Sequence, residues 1–234
     1  ELASFSAQLE LQRKALKLVI NDTNEYNQAQ KFLGDTSRKL AIPQEVITRQ
    51  FTSLTASVLG AGLSVDQAQT AFEAIAAGIR GTGGSLEDMK AAMRATAQVF
   101  SKGKVSAEEL RQQLGERLPG AFTLFAESMD MLPKDLDKAL EQGTVTLDDF
   151  MGFADHLFKT YGKNAEILAQ SPAAAGDRLK TEMSLLKDNI GQILRPMGAE
   201  FQSFAAEAVR ELNKVIDATK KLLGIGTENR IQKY

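Results

Sequence analysis

The chain has 234 residues, enough to bury a core in one large domain or two small ones. Its formal net charge of −2 gives no cationic excess for a nucleic-acid backbone, which argues against specific nucleic-acid binding. The absence of cysteine excludes disulfides, thiolate metal sites and thiol catalysis. No apolar run reaches the roughly 18 residues that a membrane-spanning helix needs. The chain begins at Glu1 rather than Met, which favours a piece of a longer protein.

Good helix formers dominate the sequence, and no segment shows the two-residue alternation of a strand. We therefore expect an all-α fold, with a compact domain of short helices followed by long amphipathic helices. The apolar spacing predicts helices at 2–33, 43–59, 64–80, 85–102, 106–117, 119–131, 134–142, 146–161, 164–170, 176–195 and 196–223.

Helix starts and stops follow local signals along the chain. Capping boxes are predicted at Ser64–Gln67 and Ser106–Glu109, with close relatives at Ser85–Asp88 and Thr146–Asp149. Three prolines are predicted to open helices: Pro43, Pro119 and Pro133. Six glycines are expected to end helices: Gly34, Gly60, Gly81, Gly143, Gly162 and Gly224.

The glycine-rich run at 80–85 superficially resembles a phosphate-binding loop. Such a loop follows a strand, whereas this run follows a predicted helix, so we expect a helix stop followed by a new Ser85 cap. The run at 103–106 lacks the first glycine of a P-loop and is also interpreted as a turn.

Candidate reactive groups do not converge on one place in the sequence. His156 is the only histidine, and a lone histidine cannot complete a triad or a metal site, so we expect a partly exposed surface residue. The acidic pairs at 108–109 and 148–149 fall in first helical turns, where the helix dipole explains them. We predict no enzyme, no cofactor, no metal site and no small-molecule substrate.

The pattern changes at the small-residue joint 171–176. Beyond it, apolar residues recur at alternating steps of four and three, as in a heptad repeat. Two interpretations remain open for this stripe, namely packing within the chain and self-association as a coiled coil. The stripe consists of Leu179, Met183, Leu186, Ile190, Ile193, Met197, Phe201 and Phe204.

These observations divide the chain into four predicted parts. A long N-terminal helical segment covers 1–42, and a compact helical domain covers 43–171. A long amphipathic helical segment follows at 172–225, and 226–234 form a tail.

The segment 98–121 closely resembles the helical tape-measure domain of long-tailed phages and prophages. In that family a helix ends in a Ser-Lys-Gly-Lys turn, an EEL helix follows, and a Leu-Pro-Gly-Ala corner comes next. Flanking pieces agree over about residues 40–225, including the 81–83 turn and a GxxLxP exit at 191–196. The matching positions are Lys102, Gly103, Lys104, Ser106, Glu108, Glu109, Leu110, Gln113, Leu114, Leu118, Pro119, Gly120 and Ala121.

The resemblance implies a structural protein of the phage tail. Tape-measure proteins are long helical chains inside the tail tube; they set tail length and leave ahead of the DNA at infection. The implied partners are other copies of the protein, the tail tube protein, tail assembly chaperones, tail-tip or baseplate hub proteins and the host inner membrane. The implied locations are the tail lumen of the virion and, during assembly, the host cytoplasm.

Two other function classes remain as alternatives. A cytoplasmic helical adaptor would bind a partner helix through the 179–222 stripe. A membrane-active protein would refold long amphipathic helices onto lipid.

Overall fold

A computed structural model describes residues 2–194 and the positions 207, 210, 211, 213–215, 217, 218 and 221. The predicted tail at 226–234, Gly224 and most of the helix at 196–223 lie outside these residues. Within the described part the secondary structure is helical, without strands, so the all-α prediction is confirmed.

Within residues 2–194 nine α-helices follow one another, most of them joined by short turns. They are α1 (Leu2–Val19), α2 (Thr23–Leu40), α3 (Gln44–Gly60), α4 (Val65–Gly81), α5 (Leu86–Lys102), α6 (Ala121–Ser128), α7 (Pro133–Gln142), α8 (Leu147–Ala169) and α9 (Ala175–Leu194). A π-helix, Glu108–Leu114, stands between α5 and α6, and a single 3₁₀ turn, Pro172–Ala174, stands between α8 and α9.

The chain divides into two compact units. One unit consists of residues 12–182 and contains most of the helices. The other consists of residues 1–11 together with 183–234. In this smaller unit Leu9 and Ser184 are buried, and the Lys187 ammonium lies 5.7 Å from the centroid of the Phe5 ring.

Phenylalanine side chains form two clusters in the core of the larger unit. The Phe51 ring lies 5.4 Å from Phe32 and 5.6 Å from Phe72, which joins α2, α3 and α4. The second cluster joins α5, α6 and α8, and Phe150 lies at its centre. Its members are Phe100, Phe125, Phe150 and Phe153, all fully buried.

Helices α4 and α8 pack closely because small residues of α4 face α8. A Cβ at Gly78 would lie 2.9 Å from the Leu157 side chain. At Gly81 it would lie 2.9 Å from both the Cβ and the carbonyl oxygen of Tyr161. The amide of Asn164 donates to the Gly81 carbonyl at 2.5 Å. The end of α4 is therefore fixed against the middle of α8.

The predicted single helix at 2–33 is wrong, because the chain breaks at residues 20–22. The Asp22 side chain accepts hydrogen bonds from the amides of Asn24 and Glu25, so it caps a new helix. That helix passes through Gly34 and ends at Ala41, which adopts a left-handed conformation with φ of 52°. Gly34 is therefore not a helix stop.

The predicted break at Gly162 is also wrong. Helix α8 runs without interruption from Leu147 to Ala169, so the helices expected at 146–161 and 164–170 are one. Gly162 lies inside it, where a Cβ would come within 3.1 Å of the Phe158 ring. The missing side chain leaves room for that ring and does not end the helix.

The prolines follow their predicted role at one of three positions. Pro133 occupies the first turn of α7, as expected. Pro43 is the N-cap of α3 rather than its first residue. Pro119 starts no helix, because Gly120 follows with φ of 83° and α6 begins at Ala121. The predicted helix at 119–131 is correspondingly shorter.

Candidate functional site

The segment 98–121, which resembles the family, contains a turn that touches a second turn of the larger unit. One turn follows α5 at Gly103, and the other follows α7 at Gly143. Both glycines are left-handed, with φ of 72° and 68°, which a residue without a side chain adopts easily. The backbone amide of Val105 donates to the carbonyl of Val145 at 3.3 Å, and both valines are buried.

The two turns have the same sequence pattern 40 residues apart. Residues 103–110 read Gly-Lys-Val-Ser-Ala-Glu-Glu-Leu, and residues 143–150 read Gly-Thr-Val-Thr-Leu-Asp-Asp-Phe. The pattern is glycine, any residue, valine, a hydroxyl residue, any residue, two acids and a buried apolar residue. Sequence reasoning found the caps but missed this repeat, although the constant offset was a readable signal.

The second turn contains a regular capping box. The Thr146 hydroxyl accepts a hydrogen bond from the Asp149 amide at 3.2 Å, and the Thr146 amide donates to the Asp149 carboxylate at 2.8 Å. Helix α8 follows directly, as predicted. The predicted boxes at Ser64–Gln67 and Ser85–Asp88 are confirmed in the same way.

The first turn differs from the second around Glu109. Its carboxylate is 1% exposed and accepts hydrogen bonds from the Lys102 ammonium and the Ser106 hydroxyl. The reciprocal backbone cap predicted for Ser106–Glu109 is wrong, because the Ser106 hydroxyl donates to the Glu109 carboxylate without the two amide bonds that make a capping box. The carboxylate that would close the box is bound to Lys102 instead.

The ion pair in the first turn shifts both of its partners' pKa values. Burial raises the pKa of Glu109, but the hydrogen bonds from Lys102 and Ser106 outweigh burial and hold the pKa below its ordinary value. The hydrogen bond to Glu109 raises the pKa of Lys102 above its ordinary value. Both groups are therefore held in their charged forms.

The π-helix is also fixed from its outer side. Arg111 makes two hydrogen bonds to the Asp137 carboxylate of α7, at 3.0 Å and 2.5 Å. Its guanidinium carbon lies 3.6 Å from the centroid of the Phe122 ring. Arg117, just beyond the π-helix, pairs with Asp88 of α5 at 3.1 Å.

The remaining family-like residues divide into buried and exposed groups. Four apolar members are buried in the core, namely Leu110, Leu114, Leu118 and Ala121. Gln113 is half-buried, and the exposed members are Lys104, Glu108, Pro119 and Gly120. The segment thus serves as a corner that packs inward.

The glycine-rich run at 80–85 forms the helix stop and new cap that the sequence predicts. Gly83 has φ of 83°, and Ser85 caps α5.

A cavity of about 220 Å³ lies beside this glycine-rich turn. Arg80 lines the cavity and donates to the Gly84 carbonyl at 3.2 Å and to the Asp177 carboxylate at 3.0 Å. The guanidinium is thus occupied by protein groups.

Other candidate groups stay apart in the structure. His156 is partly exposed, as expected, and its Nε2 lies 3.6 Å from the Glu127 carboxylate. Among the described residues, no three histidine or acidic side chains are grouped closely enough to hold a metal ion. In the same part of the chain no helix combines the length and apolarity required to cross a membrane.

The predicted apolar stripe is only partly within the described residues. Leu179, Met183 and Ile190 are half-buried, and Leu186 is 38% exposed. The side chain of Ile193 and residues Met197, Phe201 and Phe204 lie outside the described part. Among the side chains of α9 that the structure describes, the most buried are polar, namely Thr181, Ser184 and Asp188. The role of the stripe in packing or self-association stays a prediction.

Comparison with known proteins agrees with the sequence pattern. The tape measure protein family matches residues 1–192. A probable tape measure protein of Salmonella phage Felix O1 (isolate Felix O1-VT1) is 46% identical over 69 residues. That match covers 30% of this chain and 9% of the phage protein. No solved structure matches the chain.

The family match extends through every helix from α1 to most of α9, and therefore includes the two paired turns. The family is structural, which supports a role in the phage tail. The chain belongs to the tape measure protein family.

Proposed function

We propose that this chain acts within a tail tape measure that sets tail length, occupies the tube lumen and leaves at infection. The observation that carries the proposal is the family match over residues 1–192. The protein's role is then to hold and space other proteins, without a catalytic step of its own.

The compact fold determines how much length this region can add to the tape measure. Its longest helix, α8, has 23 residues and spans about 35 Å. Residues 12–182 drawn out as one helix would span about 260 Å. In the folded form these residues add little length, so we propose that they are a module at one end of the tail.

The proposed partners follow from that location. A module at a tail end meets the tail tube protein and the tail-tip or baseplate hub proteins, and it meets other copies of itself and the assembly chaperones in the host cytoplasm. Contact with the host inner membrane belongs to the ejection step.

Tail length in assembled particles tests the proposal. Residues 12–182 are deleted in frame from the full-length phage protein, and tail lengths are measured by electron microscopy. We expect tails close to normal length. Shortening by about 260 Å would mean that these residues are extended in the tail and contribute directly to its length.

A deletion of equal size in another helical region of the full protein is the matched control. We expect that deletion to shorten the tail in proportion to the residues removed. If neither deletion changes tail length, the length-setting function itself is contradicted.

A further inference from the structure

The two paired turns of the larger unit begin alike and then diverge. The Leu110 amide donates to the Ser106 carbonyl at 3.1 Å, and the Phe150 amide donates to the Thr146 carbonyl at 3.2 Å. After that shared first bond, residues 147–169 continue as an α-helix, whereas residues 108–114 form a π-helix. The same local pattern therefore leads to two hydrogen-bond registers.

One ion pair distinguishes the two turns. Lys102 precedes Gly103 and binds the Glu109 carboxylate, whereas Gln142 stands at the equivalent place before Gly143 and is exposed. In the second turn the Asp149 carboxylate stays free to accept the Thr146 amide and close the box. In both turns the hydroxyl, of Ser106 or of Thr146, donates to the carboxylate, and only in the first turn does a lysine, Lys102, bind it as well.

Gly115, directly after the C-terminal end of the π-helix, permits the π register, in which each amide binds the carbonyl five residues back. The Gly115 amide donates to the Leu110 carbonyl at 3.0 Å, five residues back, which is the π-helical spacing. A Cβ at this position would lie 2.4 Å from the carbonyl oxygen of Arg111. A residue with a side chain would therefore disfavour this ending.

We propose that the Lys102–Glu109 ion pair is a conformational switch that holds residues 108–114 in the π register, and that its release lets them adopt the α register with a Ser106–Glu109 capping box. The alternative state is the arrangement that the second turn already shows. Short π-helical segments are rare, and they occur frequently at functional sites.

The switch would act on the neighbouring helices. One residue corresponds to about 100° of rotation around a helix axis, so a register change turns Arg111 relative to Asp137. The bidentate pair between the π-helix and α7 is then broken. Release of Lys102 would thus loosen the attachment of α7 to this corner.

Crystal structures of three full-chain variants test the switch. In Lys102→Met we expect the Gly115 amide to change its acceptor from the Leu110 carbonyl to the Arg111 carbonyl, and the Ser106 amide to bind Glu109. Gly115→Ala, which disfavours the π ending directly, should show the same change. Gln142→Met alters the equivalent position of the second turn and should keep the wild-type registers in both turns.

The possible results separate cleanly. A folded Lys102→Met variant that keeps the Gly115–Leu110 bond overturns the proposal. If that variant does not fold, Gly115→Ala decides by the same bond. Loss of folding in both variants also overturns it, since a switch requires both registers to be stable.

Discussion

At the scale of single residues, the glycines of this chain have unrelated roles that the sequence does not distinguish. Gly103 and Gly143 adopt left-handed turns, Gly81 permits the approach of α8, and Gly34 has no atom within 4 Å of the position a Cβ would take. Each role comes from a different neighbour in space. A glycine after an apolar run therefore predicted a helix end at Gly81 but wrongly at Gly34.

Substituting two of these glycines separates close packing from helix propensity. Gly81→Ala should lower the free energy of unfolding by about 1–3 kcal/mol, because the new Cβ meets the Tyr161 backbone. Gly34→Ala, in open space inside α2, should raise it by about 0.5–1 kcal/mol. Urea unfolding measures both, and equal effects of the two substitutions would contradict the packing argument.

The buried carboxylate of Glu109 predicts how the free energy of unfolding depends on pH. Its pKa lies below the ordinary 4.5 in the folded chain, so its stabilising contribution is present above pH 4.5 and is lost as the pH falls through the folded pKa. The difference in unfolding free energy between wild type and Glu109→Gln should therefore be largest near neutral pH and shrink in acid. Urea unfolding from pH 7 to pH 2 measures the difference, and a constant difference would contradict it.

At the scale of helices, the local sequence predicted starts better than ends. The helices that start at Val65, Leu86 and Leu147 each follow an N-cap residue whose hydrogen bonds stay within four residues. The sequence signals for these starts are therefore local. The start at Thr23 was missed although its signal is equally local, since Asp22 caps it through the amides of Asn24 and Glu25. The π-helix could not be predicted, because it depends on Lys102 folding back across the turn.

The second phenylalanine cluster holds three helices together. Phe150→Ala should cost about 3–5 kcal/mol of stability, since its ring contacts Phe100, Phe125 and Phe153. Phe122→Ala is the control, because that ring is half-buried and stacks on Arg111. Equal losses in the two variants, measured by urea unfolding, would argue against a core centred on Phe150.

The apolar stripe gives a prediction about self-association. If 172–223 forms a coiled coil between copies, replacing both Ile190 and Met197 by aspartate should produce a folded monomer, because charges do not fit a heptad seam. Sedimentation of the full chain measures the mass. If an oligomer survives both replacements, the stripe does not form the contact between copies, and packing within the chain remains as its role.

At the scale of the whole molecule, composition and periodicity were sufficient to predict the all-α class. The short segment at 98–121 was sufficient to indicate the family, because its corner residues are specific in kind and spacing. The contact between the 103 and 143 turns was not predicted, since it joins residues 40 apart through a single backbone hydrogen bond. The compactness of residues 12–182 likewise depends on contacts distant in sequence.

Residues 12–182 of this tape measure protein form a compact helical unit rather than an extended rod. Small-angle X-ray scattering of residues 12–182 tests it directly. A compact unit of this length has a radius of gyration of about 16 Å. A continuous helix of the same residues would give a value on the order of 70 Å, and such a result would contradict the account.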